Sequence, residues 1–205
     1  GPFGADHAKA AMLDPALIFD RTPSGRPLLG GTTSFIFNTR TQTLEKSFLT
    51  LIGTATNCAG GPTPWGSWIT CEETQETPGA NAGKMHGFNF EVPSSARSPV
   101  KPVALEAMGR FKHEAVAVDP ATGVVYQTED AGDGLFYRFI PTKPGELARG
   151  GKLQALALRD KRTADTRNWE DANQIPVGAS FAVEWVDLDN VTAPDGDLRL
   201  RGAAK

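Results

Sequence analysis

An all-β fold is expected from two features of this 205-residue chain. It holds 22 glycines and 15 prolines, well above the roughly 12% that the two residues share in average usage, and without low-complexity runs. From Gly31 onward it consists of short apolar runs bounded by turn residues, which is the pattern of strands and not of helices. The length suits one domain, or part of a larger one.

Residues 1 to about 30 read as a lead-in, with helical composition from Ala5 to Leu13 that Pro15 brings to an end. Nine strand signals follow: 34–37, 48–52, 67–71, 87–92, 115–118, 124–127, 135–140, 153–158 and 182–187. Within 135–140, Leu135, Tyr137 and Phe139 alternate with Phe136, Arg138 and Ile140, the period of a pleated strand. Asp119-Pro120-Ala121-Thr122-Gly123 joins two of the runs as a hairpin turn, because proline presets φ and glycine supplies a positive one. Residues 74–83 and about 161–178 lack apolar periodicity and read as surface loops, the second long enough to be functional or disordered.

Successive four-strand meanders with irregular loops are what a divergent β-propeller leaves in one sequence. A sandwich is the other all-β solution, and composition does not separate the two. At roughly 40–50 residues per blade, this chain is too short for a closed six-bladed ring. Nine strands would make two to three blades, so residues 1–205 read as a partial β-propeller domain with raw sheet edges.

A net charge of −3 and a pI near 5.7 give no basic surface for nucleic acid. No stretch approaches the roughly 20 apolar residues of a membrane helix, so membrane insertion is not expected. No signal peptide is visible, and an opening of Gly1-Pro2 is compatible with an internal start or a tag-cleavage scar.

The chemistry concentrates in the stretch Asn57-Cys58-Ala59-Gly60-Gly61-Pro62-Thr63-Pro64-Trp65-Gly66-Ser67-Trp68-Ile69-Thr70-Cys71-Glu72-Glu73. A rigid Gly/Pro/Trp turn delivers a strand that ends in a thiol followed by two carboxylates. Carboxylates suit hard cations such as calcium, and a thiolate adds affinity for a transition metal. Cys58 and Cys71 leave three readings open: a disulfide, buried small residues, or one metal thiolate. If the strand runs on, Cys71 and Glu73 share a face and Glu72 points away.

Two further acidic clusters follow strand signals. Lys112-His113-Glu114 leads into Ala115–Val118, and Thr128-Glu129-Asp130-Ala131-Gly132-Asp133-Gly134 lies between two strands. In a propeller, equivalent strand ends of different blades converge on one mouth, where distant carboxylates can meet. Each cluster also has a plainer reading. Glu129-Asp130 suits a polar hairpin loop, Glu114 a solvated edge, His113 a hydrogen-bonded structural histidine, and Trp65, Trp68, Trp169 and Trp185 packing.

Taken together, 57–73, Gly109-Arg110-Phe111-Lys112-His113-Glu114-Ala115-Val116-Ala117-Val118-Asp119-Pro120 and the run from Tyr126 to Phe139 closely resemble the PhoX-type alkaline phosphatases, nearest their shorter, less characterised branch. Gly30-Gly31-Thr32-Thr33 resembles the opening strand of that family. The resemblance implies a six-bladed β-propeller, exported folded to the periplasm or secreted. It also implies hydrolysis of a small phosphomonoester at a cluster of Fe3+ and Ca2+. By resemblance, Cys71 is the iron thiolate and Glu114 a catalytic, metal-bound carboxylate. Glu72 or Glu73 becomes a calcium ligand, Asp130 and Asp133 further calcium candidates, and Asn57 a contact for substrate phosphate.

The family continues beyond Asp195-Gly196-Asp197-Leu198-Arg199-Leu200-Arg201-Gly202 into an Ala-Arg-x-Glu segment that this sequence lacks, and it also extends before Gly1. The chain is therefore expected to be an internal portion with an incomplete catalytic set, completed by the remainder of the propeller, for instance as a second chain. The other classes to weigh are a non-catalytic calcium-binding propeller module for a ligand or protein partner, and a calcium-dependent propeller hydrolase of lactones or other esters. Metal content and colour separate them, since a calcium-only module is colourless.

Overall fold

The computed structural model describes residues 12–161, 164–168 and 175–203. Their regular secondary structure is mostly β-sheet. Strands β1 (Gly30–Asn38) and β2 (Thr43–Thr54) form a separate antiparallel hairpin. Asn38 turns it, its Oδ1 accepting from the amides of Arg40 at 3.0 Å and Thr41 at 3.1 Å, the asparagine turn that needs no glycine.

The remaining strands are β3 (Asn57–Pro62), β4 (Ser67–Glu72), β5 (Asn89–Pro93), β6 (His113–Val118), β7 (Val125–Glu129), β8 (Phe136–Pro141), β9 (Gly151–Leu158) and β10 (Val183–Asp187). They make one eight-stranded sheet in the order β10-β9-β8-β7-β6-β3-β4-β5. Two antiparallel meanders, β3 to β5 and β6 to β10, thus meet along their first strands, and β3 runs parallel to β6 through Gly60↔Ala115. The described residues form no closed ring.

All nine strand signals correspond to strands. The tenth, β3, was not among them, since Asn-Cys-Ala-Gly-Gly-Pro holds no β-branched or aromatic residue. Contact and not propensity makes it a strand. A Cβ on Gly60 would lie 2.1 Å from the Ile69 carbonyl oxygen of β4, and one on Gly61 2.1 Å from the Val116 oxygen of β6. Only glycines let three backbones approach this closely. The short helix α1 (Leu198–Ala203), which buries Leu198 and Gly202, was also not expected. The helical lead-in at Ala5–Leu13 lies outside the described residues except for its last two. Beyond it, Asp14 caps a single 3-10 turn, Pro15–Leu17. Of the 161–178 loop, only the outer parts are described. Trp169 lies outside them.

The main core packs Ile69 and Cys71 of β4 with Met108, Phe111, Val125, Tyr137, Phe139, Leu153 and Leu198. A second cluster sets Leu51 of β2 against Phe88, Phe90 and Val92 around β5. In β8 the expected alternation holds, with Tyr137 and Phe139 buried between more exposed neighbours. Among the described residues no helix is long and apolar enough to cross a membrane.

Candidate metal centre

Chain direction brings the acidic motifs to one end of the sheet. Parallel strands β3 and β6 both start there, and their antiparallel partners β4 and β7 both finish there. Cys58 lies near the start of β3, Glu114 near the start of β6, Glu73 just past β4 and Asp130 just past β7. Cys58, Glu73 and Glu114 each offer a ligand atom within 4.8 Å of the others, and all three are half-buried. The Cys58 thiol donates to Glu114 Oε1 at 3.3 Å. A thiol between two carboxylates is a mixed donor set that suits a transition metal alongside hard cations.

The electrostatics describe a site short of positive charge. Glu73 is pushed above the usual carboxylate range, first by a hydrogen bond shared with Asp130, then by burial and the nearby charge of Glu114, against the lowering effect of a hydrogen bond from Cys58. Cys58 is pushed up by its hydrogen bonds to Glu114 and then Glu73. Protons are retained where acidic groups crowd one another, and a cation would displace them.

The structure separates the residues that sequence reasoning had grouped together. Cys71 faces the core, fully buried beside Ile69. Burial pushes its thiol up to about 12, with the charges of Cys58 and Glu114 adding to the effect. The thiol set against the carboxylates is that of Cys58, the residue opposite Cys71 in the β3–β4 register. The Cys-Glu-Glu order drew attention to β4, whereas the thiol beside the carboxylates is on the partner strand β3, and the signal that could have found Cys58 was the hairpin pairing itself.

Glu72 turns away from this group, as side-chain alternation requires. It is wholly buried and its oxygens are occupied. Oε1 accepts from the Ala55 amide at 2.8 Å and meets His86 Nδ1 at 2.7 Å, and Oε2 accepts from the amides of Gly87 at 2.8 Å and Phe88 at 3.2 Å. His86 Nε2 reaches Asp20 Oδ2 at 3.0 Å, closing a buried carboxylate–imidazole–carboxylate chain. Burial works against a charge on His86, yet its bonds to Glu72 and then Asp20 hold it above the ordinary histidine range. Buried Arg110 supplies the second cation, donating Nε to the His86 carbonyl at 2.7 Å, Nη1 to that of Ala193 at 2.8 Å and Nη2 to that of Gln75 at 2.7 Å. Neither Asp20 nor His86 was singled out in the sequence, because their partners are remote along the chain.

Asp130 is exposed and reaches the group through Glu73. Asp133 stands apart and pairs with Arg199 at 2.8 Å. Asn57 has both ends of its amide engaged: Oδ1 accepts from Thr54 Oγ1 at 2.6 Å and Nδ2 donates to Thr70 Oγ1 at 3.1 Å. His113 is buried, donates from Nε2 to the Gly109 carbonyl at 3.0 Å and stacks on Phe111 with centroids 3.6 Å apart.

A β-sheet protein that gathers a thiol and carboxylates at one end of its strands belongs to the class of candidate metalloproteins. The chain belongs to the PhoX alkaline phosphatase family, whose model matches residues 29–202. Its fold is similar to that of a solved structure, Pseudomonas fluorescens PhoX in complex with vanadate, a transition state analogue, at 19% identity and a TM-score of 0.50. The match covers 89% of this chain and 41% of that one, so the chain spans less than half of its structural relative. No curated protein matches the chain.

Proposed function

We propose that the protein to which this chain contributes is a metal-dependent phosphomonoesterase, with Cys58, Glu73 and Glu114 among its metal ligands. The observation that carries this reading is the convergence of those three side chains within 4.8 Å at one end of the sheet. Iron suits the Cys58 thiolate and calcium suits the carboxylates, with Asp130 supporting Glu73 from outside. Such cations would neutralise charge on a phosphoryl group and acidify a bound water. An acidic chain needs that reversal of local charge to hold an anionic ester.

The chain's own residues have separate tasks in this reading. Glu114 accepts the Cys58 hydrogen bond, would share the cations with that sulfur, and is the catalytic carboxylate. The buried Asp20–His86–Glu72 chain fixes the end of β4, so that Glu73 emerges toward Cys58. Asn57, with its amide already engaged, braces β3 against β4, and a role for it at the substrate phosphate requires those bonds to open. Cys71 serves as core packing, and the thiolate role passes to Cys58.

The two meanders are read as adjacent blades of a β-propeller, with β3 and β6 as their innermost strands. Their parallel pairing supports this, since first strands of neighbouring blades run alongside each other around a channel. The rest of the ring, as a further part of the same protein or a second chain, would complete the catalytic set. By family, the protein would act in the periplasm or outside the cell on a small phosphomonoester.

Full-length protein carrying Glu114→Gln tests this reading. The substitution keeps shape but removes one ligand charge. Hydrolysis of a generic phosphomonoester is expected to fall by about 10²-fold or more, the scale of losing a group that acts on the reacting centre, while the melting temperature holds. Turnover near wild type would return Glu114 to a solvated edge residue.

A further inference from the structure

We propose that Cys58 and Cys71 form a reversible dithiol–disulfide pair, so that oxidation withdraws the Cys58 sulfur from the carboxylate group. Both cysteines are free in this structure. They are directly opposite each other in the antiparallel pairing of β3 and β4. Residues so placed lie about 4.5–5.5 Å apart between Cα atoms with side chains on one face. That separation falls inside the range of about 4.4–6.8 Å that disulfides span. The pairing is interrupted by a register shift just beyond Cys58, and a bulge of this kind gives the local backbone freedom to adjust.

The two thiols differ in the way such a pair requires. Cys58 is half-buried at the sheet end, within reach of solvent, while Cys71 is enclosed by the core. An oxidant therefore meets Cys58 first, and Cys71 is held beside it to resolve the product. With hydrogen peroxide, the Cys58 sulfur takes one oxygen to become a sulfenic acid and one water leaves. The Cys71 sulfur then attacks the Cys58 sulfur, its proton leaves with the hydroxyl as a second water, and the S–S bond forms. With a small-molecule disulfide, the Cys58 thiolate displaces one thiol, and Cys71 displaces the other from the mixed disulfide. In both cases the two electrons lost by the cysteines reduce the oxidant. The Cys58 hydrogen bond to Glu114 ends when its sulfur swings to Cys71.

This inference does not rest on the phosphatase reading, because the bond is read by mass. Full-length protein, with bound metal retained in one sample and removed by a chelator in another, is exposed to hydrogen peroxide or glutathione disulfide. Remaining thiols are then blocked under denaturing conditions. Ser47–Lys84 is a single tryptic peptide containing both cysteines. Its expected form has lost two hydrogens and taken up no blocking group, and it is restored by reductant. Cleavage after Trp65 and Trp68 should leave two pieces joined by the bond. The reaction is expected to be faster without metal. In Cys71→Ser, Cys58 is expected to stop at the sulfenic, sulfinic or glutathione-bound form. Cys58 over-oxidised or capped in the wild type while Cys71 stays free would overturn the proposal, as would two thiols that never react.

Discussion

Glu72 and Glu73 are neighbours in the chain with opposite surroundings. Glu72 is sealed into hydrogen bonds with His86 and three backbone amides, whereas Glu73 is half-buried and pushed above the usual carboxylate range by its hydrogen bond with Asp130. The same contrast separates the two buried histidines among the described residues. His86 lies between carboxylates and is held above its ordinary range, so the stability it contributes is present below about pH 6.5 and is lost as pH rises through its raised value. His113 has lost its hydration with no carboxylate in exchange, and burial drives it down to about 3. The unfolded chain therefore binds a proton that folded His113 refuses between about 6.5 and 3, and stability falls as pH falls through that window, by up to about 1.4 kcal/mol per unit. Asp20 is held below its ordinary range against the effect of burial, by His86 and then the Lys84 amide; its contribution persists above about 3.9 and fades only as pH drops through its lowered value. Thermal melting of the full-length protein across pH is expected to show a maximum near neutrality with a steep acid limb. A melting temperature that stays flat from pH 7 to pH 4 would contradict the burial of a neutral His113.

Strand β3 shows why an element can be legible in chemistry and hidden in propensity. In sequence its residues have the character of a turn, because Gly60, Gly61 and Pro62 are turn formers. The same glycines create the strand, by admitting the backbones of β4 and β6 on either side. Gly60→Ala is expected to destabilise by about 3 kcal/mol or more, because the new Cβ meets a backbone oxygen that cannot rotate away and Gly60 sits at φ +90°. It should also reduce metal binding, since the same contact sets the start of β3 beside that of β6. Denaturant unfolding and metal titration of the variant measure the two effects. Unchanged stability would mean that the β3–β4 approach is looser than described. The strands read correctly from the sequence, such as β8 with its alternating Tyr137 and Phe139, are those whose packing is written in their own side chains. Where packing depends on a neighbour's backbone, a single segment carries no signal of it.

Across the whole molecule, the all-β class, the order of the motifs and their convergence at one end were legible. That convergence follows from strand direction alone once β3 and β6 are parallel. Which cysteine meets the carboxylates was not legible, since that depends on the β3–β4 register and on the enclosure of Cys71 by Met108, Phe111 and other residues remote in sequence. Iron content, measured with the visible absorption of the full-length protein, tests the Cys58 assignment most directly when Cys58→Ser and Cys71→Ser are compared. Cys58→Ser is expected to lose most of its iron and the colour of a thiolate-bound metal while keeping its fold. Cys71→Ser is expected to keep both, with a lower melting temperature from a hydroxyl placed in the core. Full iron and colour in Cys58→Ser, with both lost in a folded Cys71→Ser, would contradict the assignment and return the thiolate role to Cys71.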